Sequence, residues 1–297
     1  MSLKKNKLVN NIPYALLVFG LAILGLIFFY PFYSIYIYAF NDGLDSLKSP
    51  LVLFPRKFTF DNLVIAFQMK GVAQAFFISI SRTVLGTVAS MLCTSLLAFA
   101  MTKRNIIGYK FFSLYFFIPF MFGGGAISYF LTLKEIHLLD SFLVFIIPGL
   151  YSYWNMIVFR SFFDGIPASI HESAELDGAS HMKIFFRLLI PMSKPVFAAL
   201  SLFTAVGHWS DWYSGMFYIK NTKLLPLQTL LQKLLMNLDL ASKINQMGSE
   251  GSAFASGVTP SAVRLAVVVI VVTPIILIYP LLQKHFVKGV MIGAVKG

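Results

Sequence analysis

Six apolar runs, each long enough to cross a bilayer, leave this chain little choice of architecture. They lie at roughly 13–40, 73–101, 111–133, 141–163, 190–219 and 262–283. A helix needs about 20 apolar residues to span the ~30 Å hydrocarbon layer. Inside that layer every backbone N–H and C=O must be satisfied within the segment, which selects helices. Composition agrees: 58% of residues are hydrophobic and 12% charged, where a soluble domain carries about 25% charge. The expected fold is all-α, a polytopic membrane protein of six transmembrane helices in a single domain over 1–297. The first run is too long for a cleavable signal peptide and lacks a small-residue cleavage site.

The net charge of +12 could suggest nucleic acid, but the basic residues are distributed as membrane topology demands. Lys4, Lys5 and Lys7 precede the first run, and Lys103, Arg104 and Lys110 separate the second from the third. Arg160, Lys183 and Arg187 flank a polar loop at about 164–190, and Lys284, Lys288 and Lys296 follow the last run. All fall on one side if both termini are cytoplasmic in a cell (plasma) membrane. Residues 41–72 and 220–261 are then extracellular loops. Their basic residues, such as Lys48, Arg56, Lys57, Lys220 and Lys223, are spread through long segments where the charge bias counts for less.

Enzyme chemistry finds little footing. Cys93 is the single cysteine, and five scattered histidines lack metal-ligand spacing, so no metal site is expected. No Gly-Lys dipeptide exists, so the phosphate-cradling Walker loop is absent and this chain is not expected to hydrolyse ATP.

The two outer loops carry local order. Thr59 is placed to cap a short helix over Asp61–Gln68, which would lay Leu63 and Phe67 on the membrane surface. Leu227, Leu230, Leu231, Leu234, Leu235 and Leu238 form a helical stripe, followed by the polar stretch Gly248–Ser252. That loop reads as an amphipathic lid on the bundle, or as a docking surface for an external protein. Gly123, Gly124 and Gly125 suggest close helix packing in the third run. Pro31, Pro119, Pro148, Pro195 and Pro274 interrupt the runs, which fits a bundle that moves.

The polar loop at 164–190 is the knuckle of the chain. Ser169 and Glu172 have the spacing of a capping box, and Pro167 lies near the first turn. Gly178 supplies a left-handed end to that helix, and Ser180 can cap a second helix running toward Pro191. These residues resemble the cytoplasmic signature of ABC importer permeases: Glu-Ala-Ala, three residues, Gly, nine residues, then Ile-x-Leu-Pro. Glu172, Ala174, Gly178 and Pro191 match it, with Ser173, Leu188 and Ile190 as small or volume-conserving departures. Asp177–Ser180, Tyr279–Gln283 and the tail Phe286–Gly297 resemble the maltose-type carbohydrate branch, nearest the subgroup importing polysaccharide-derived saccharides in Gram-positive bacteria.

That resemblance implies the type I importer permease fold and an ATPase-coupling role for Glu172, Ser173, Ala174, Gly178 and Pro191. It implies partners as well: a second, non-identical permease, two copies of a cytoplasmic ATPase subunit and an extracellular substrate-binding protein. ATP and Mg would be held by the ATPase, and no cofactor by this chain. A homodimeric permease pair stays open.

For the substrate path, His208, Asp211 and Trp212 share one face if the fifth run is a continuous helix, while Trp209 points about a third of a turn away. Aromatic rings, a carboxylate and an imidazole suit a sugar's C–H faces and hydroxyls. An interfacial aromatic belt is the alternative, but the segment starts roughly 10–18 Å below the end of the run, which is deep for a belt. Arg82, buried in the second run, could meet an acidic saccharide such as a uronate, pair with Asp211 or pair with a partner permease. The function expected is import of a saccharide, an oligosaccharide of unspecified length and charge, by a permease subunit with ATP hydrolysed on a separate subunit. An ABC permease for an amino acid or peptide is the alternative, and a secondary transporter the next; neither the tail nor the signature loop favours them.

Overall fold

The computed structural model describes residues 3–50, 53–236 and 258–294, with side chains from residue 13 to 278 within those ranges. Gly248–Ser252, Leu238, the side chains of Lys4, Lys5, Lys7 and Tyr279–Gln283, and the tail residues 295–297 lie outside what is described. The described chain divides into two compact units, Met1–Met69 with Lys233–Val272 and Lys70–Gln232 with Thr273–Gly297. Among the described residues all regular structure is helical, apart from one isolated bridge between Asn41 and Phe58.

In the first unit, α1 (Leu3–Ala39) runs straight through Pro13 and Pro31. None of its most apolar stretch is buried, so lipid or another chain must cover it. A polar knot follows. Asn41 donates to Asp45 Oδ2 (3.1 Å) and Ser46 Oγ (2.9 Å) and accepts from the Lys57 N–H (2.7 Å). Asp42 caps α2 (Gly43–Lys48) through the Asp45 N–H, and Arg56 pairs with Asp45 at 2.9 Å. The helix expected over Asp61–Gln68 forms there as α3. Thr59 Oγ1 accepts from the Asp61 N–H, although Phe60 occupies the cap position itself. The face α3 buries carries Asn62 and Ala66, with Asn62 donating to the carbonyls of Ala39 and Asn41.

The second unit is built on α4 (Val72–Thr102), 31 residues and about 46 Å at helical rise. Against it pack α7 (Tyr153–Asp164) and α11 (Lys194–Ser210). Their shared core is Met91, Ala98 and Phe99 of α4, Met156, Phe159 and Phe163 of α7, and Val196 and Leu200 of α11, closed by Ile184, Phe185 and Leu189. Lipid is as apolar as leucine, so such a core holds by close van der Waals fit rather than by escape from water.

Three of the expected spans are not continuous helices. The third is two, α5 (Tyr109–Met121) and α6 (Gly125–Glu135), because Phe122 is extended and Gly125 takes φ +76°. Within this chain a Cβ at Gly123 or Gly125 would meet nothing within 4 Å, and the helix is broken at these glycines. The fourth begins as two 3-10 turns, Phe142–Phe145 and Ile147–Gly149, bent 45° from α7. The fifth starts after an 83° bend at Ser193, between Pro191 and Pro195, and α11 stops at Ser210. Among the described residues three helices are long and apolar enough to cross alone, Pro13–Ala39, Val72–Ala100 and Pro260–Ile278; counting each bent pair as one span brings the number to five.

The knuckle comprises α8 (Ala168–Leu176), α9 (His181–Ile184), a π-turn over Phe185–Leu189 and α10 (Ile190–Met192). The capping box does not form. Pro167 holds the N-cap position with ψ 131°, so Ser169 already lies inside α8 and no side chain caps it. Gly178, at φ +74°, does end the helix: its N–H reaches Glu175 O (3.0 Å) and the Ala179 N–H reaches Ala174 O (3.0 Å), the paired bonds of a Schellman turn. Ser180 caps α9 through the Lys183 N–H. In the outer loop, α12 (Tyr213–Tyr218) is followed by α13 (Leu227–Leu235), which buries Leu227, Leu231 and Leu234 and leaves Leu235 exposed.

A polar cavity and an exposed knuckle

A cavity of about 400 Å³ opens within the second unit, among helices whose length and apolarity suit a membrane. That volume falls in the lower part of the range for small-molecule sites, about 300–1,000 Å³. Its walls mix polar and aromatic groups: Ser90 of α4, Tyr129 of α6, Phe145 and Tyr151, Asn155 of α7, Thr204 and His208 of α11, Asp211 and Ser214. Asn155 Nδ2 donates to Thr204 Oγ1 at 3.3 Å, which joins α7 to α11 across the wall.

Asp211 and His208 both line this cavity, but not through a shared helical face. Asp211 sits past the end of α11 in extended conformation, φ −73° and ψ 104°. Its Oδ2 accepts from Arg82 Nη2 at 2.8 Å, and its Oδ1 accepts from the Ser214 N–H at 3.1 Å in the first turn of α12, although Trp212 occupies the cap position itself. Two hydrogen bonds available only off the helix explain why the helix ends there. Arg82 is 1% exposed and Asp211 31%. The guanidinium stands 4.6 Å from the Phe145 ring, while its Nε and Nη1 are buried without a hydrogen-bond partner. Trp212 is not part of the cavity wall; its ring meets Tyr213 and its carbonyl accepts from Thr229 Oγ1. Trp209 is buried, edge-on to Phe76.

The knuckle is the second site. Glu172 and Ser173 are exposed, whereas Ala174 and Ala179 turn inward onto the core below. Pro191 is exposed in α10. Sequence reasoning passed over two features. Leu176 stands 88% exposed at the end of α8, an apolar tip on a polar loop. Its signal was in view, a leucine between Glu175 and Asp177. Glu175 pairs with Lys103 at 3.0 Å, tying the knuckle to the end of α4; a contact 72 residues apart has no local signal. The Lys103 hydrogen bond and charge hold the Glu175 carboxyl below the usual range.

Lys103 also faces His171, which stacks on Phe99 with a buried, unpartnered Nδ1. Burial and then the Lys103 charge push the His171 pKa down, against Glu175, which raises it. A histidine with a depressed folded pKa stabilises at high pH, and that contribution fades as pH falls from the ordinary value of 6.5 through the depressed one. Protection factors of the α8 amides, that is exchange corrected for its intrinsic pH dependence, should therefore fall between about pH 7.5 and pH 5. His171→Phe, which keeps the stack and removes the titration, should flatten the response. An unchanged pH dependence in His171→Phe would rule this origin out.

The opposite end of the same unit is also knotted. Asp140 Oδ1 accepts from the Lys220 and Asn221 N–H groups (2.9 and 2.7 Å), and Gln74 near the start of α4 donates to Lys223 O. The knuckle and residues 220–223 thus lie at opposite ends of α4.

Comparison with known proteins fits this arrangement. The chain is 32% identical over 296 residues to the polygalacturonan/rhamnogalacturonan transport system permease protein YtcP of Bacillus subtilis (strain 168), covering 99% of this chain and 100% of that one. It is 34% identical over 274 residues to protein LplC of the same organism, covering 92% and 91%. A chain in the crystal structure of a bacterial ABC transporter involved in the import of the acidic polysaccharide alginate superposes with a TM-score of 0.86 at 26% identity, covering 94% of this chain and 98% of that one. Residues 90–292 match the family of binding-protein-dependent transport system inner membrane components. An apolar bundle around a polar cavity, with a shaped loop at one end, is what such a component requires, and this chain belongs to that family.

Proposed function

We propose that the chain is the permease subunit of an ABC importer for oligosaccharides, with the cavity as its sugar path and the knuckle as its contact with a separate ATPase subunit. The observation that carries the reading is the polar cavity itself. Hydroxyl, amide, imidazole and carboxylate groups converge on a space bordered by Tyr129, Phe145 and Tyr151, between α4, α6, α7 and α11. Sugars ask for that mixture: ring faces against C–H surfaces, and donors and acceptors for hydroxyls. His208 and Asp211 serve as acceptors, and Arg82 acts from behind by holding Asp211. Trp212 supports the wall from outside it.

At the knuckle, Glu172, Ser173, Ala174 and Gly178 shape a short helix whose Leu176 tip offers an apolar anchor to a groove. Pro191 begins the return. A second permease, two ATPase copies carrying ATP and Mg, and an extracellular binding protein would complete the transporter. Both termini and the knuckle would face the cytoplasm. A cysteine at Ala179 in a Cys93→Ala background should then be shielded from an impermeant thiol reagent in intact cells, and one at Lys48, exposed in the outer loop, should react. Labelling at Ala179 would reverse the orientation.

Uptake by the reconstituted complex tests the path. With oligogalacturonides and neutral oligosaccharides offered in parallel, Asn155→Ala should lower the uptake of whichever class is carried by about five- to ten-fold, the worth of one hydrogen bond to the passing sugar. Amino acids or peptides carried in place of sugars would overturn the substrate assignment. Undiminished uptake in Asn155→Ala would remove the cavity from the path.

A further inference from the structure

We propose that Gly86 and Gly149 form a slot that parks the imidazole of His208, and that this slot sets the calibre of the cavity, making Gly86 a size-determining residue for the transported chain. The inference deepens the reading of the cavity as the sugar path and rests on it. A Cβ added at Gly86 would lie 2.7 Å from both Cε1 and Nε2 of His208 and 3.1 Å from Cδ2. A Cβ at Gly149 would lie 3.4 Å from Cε1 and 3.7 Å from Nε2. One edge of the ring is thus pressed directly on α4 backbone, with the turn before α7 close on another side.

Glycine inside a long helix is unfavourable against alanine, because it gives up conformational freedom and packs nothing. At Gly86, buried within α4, its use is the space it leaves. Retreat of the helix would pull Arg82 and Ser90, buried one turn to either side on the same face, out of their packing. Any side chain at Gly86 must therefore displace the ring. His208 can swing only about two side-chain torsions, and Gly149 stands close on a second side. The open direction is the cavity, which His208 already borders. A methyl group at Gly86 becomes an imidazole pushed into the passage.

The test measures calibre without assuming a substrate. In the assembled transporter with Cys93→Ala, a cysteine at Thr204 reports on the cavity through its reaction with methanethiosulfonate reagents of graded size. Gly86→Ala should slow the bulkiest reagent by about ten-fold, the rate equivalent of a typical overpacking cost, and leave the smallest nearly unchanged. Adding His208→Ala should restore the bulky reagent's rate. Equal slowing of all reagents would mean general distortion, and no slowing, or no rescue by His208→Ala, would equally overturn the proposal. The underlying reading fails separately: it falls if Asn155→Ala leaves sugar uptake intact, and it stands if Asn155→Ala lowers uptake while Gly86→Ala leaves the size ratio unchanged.

Discussion

Asp211→Asn is expected to damage the protein far more than Arg82→Gln, although the two side chains form one ion pair. The reason is unequal burial: Arg82 is 1% exposed and Asp211 31%. Removing the carboxylate leaves a guanidinium enclosed with no counter-charge, and its Nε and Nη1 already lack partners. Breaking a buried pair in that way costs about 3–5 kcal/mol. The Phe145 ring 4.6 Å away offsets only part of this. Removing the guanidinium leaves Asp211 facing the polar cavity and still accepting from the Ser214 N–H, at a cost nearer 1–3 kcal/mol. Heat survival of the detergent-solubilised protein should rank wild type, Arg82→Gln, then Asp211→Asn, with the double variant recovering part of the loss. If Arg82→Gln proves the more damaging, burial is not what governs the pair.

The second large effect belongs to Gly178. Its φ of +74° lies where a Cβ crowds the following carbonyl, and an L side chain pays about 1–2 kcal/mol there. A Cβ at this position meets nothing within 4 Å, so the penalty is in the backbone and not in packing. Gly178→Ala and Gly178→Leu should therefore be similarly harmful, and Gly178→Asn milder, because asparagine tolerates the left-handed region. The chain should still reach the membrane. What is lost is the Schellman turn that aims α8, and with it substrate-stimulated hydrolysis by the ATPase subunit, by about ten-fold or more. Glu172→Lys should reduce the same quantity by reversing charge on the exposed face. Normal coupling in Gly178→Ala with failure in Gly178→Leu would point to a clash with the partner and away from the turn.

Legibility differed by region for reasons that lie in range. The limits of α3, the left-handed Gly178 and the Ser180 cap were all readable, because each depends on hydrogen bonds within six residues. The capping box failed although its spacing was right, since Pro167 took the cap position first. The glycines at 123–125 were read as packing residues; whether small residues join helices depends on what stands opposite, and within this chain nothing stands within 4 Å of Gly123 or Gly125. His208 and Asp211 reached one cavity by a route that helical periodicity did not contain, and Trp212 was lost from the wall for the same reason.

Apolar run length determined by itself that this chain is helical and made for a membrane, because unsatisfied backbone cannot survive in hydrocarbon. Local chemistry determined the left-handed turn of the knuckle and the cap of its second helix. Tertiary structure alone decided where α11 stops, what Arg82 faces and how the cavity is walled. Arg82 and Asp211 are 129 residues apart, and Lys103 and Glu175 are 72 apart. Such pairs form only once helix packing has brought their backbones together, and the ending of α11 at Ser210 follows from the bonds Asp211 then makes. A helix pattern records which residues could face inward, and the packed neighbours decide which of them turn away from the helix to meet a partner.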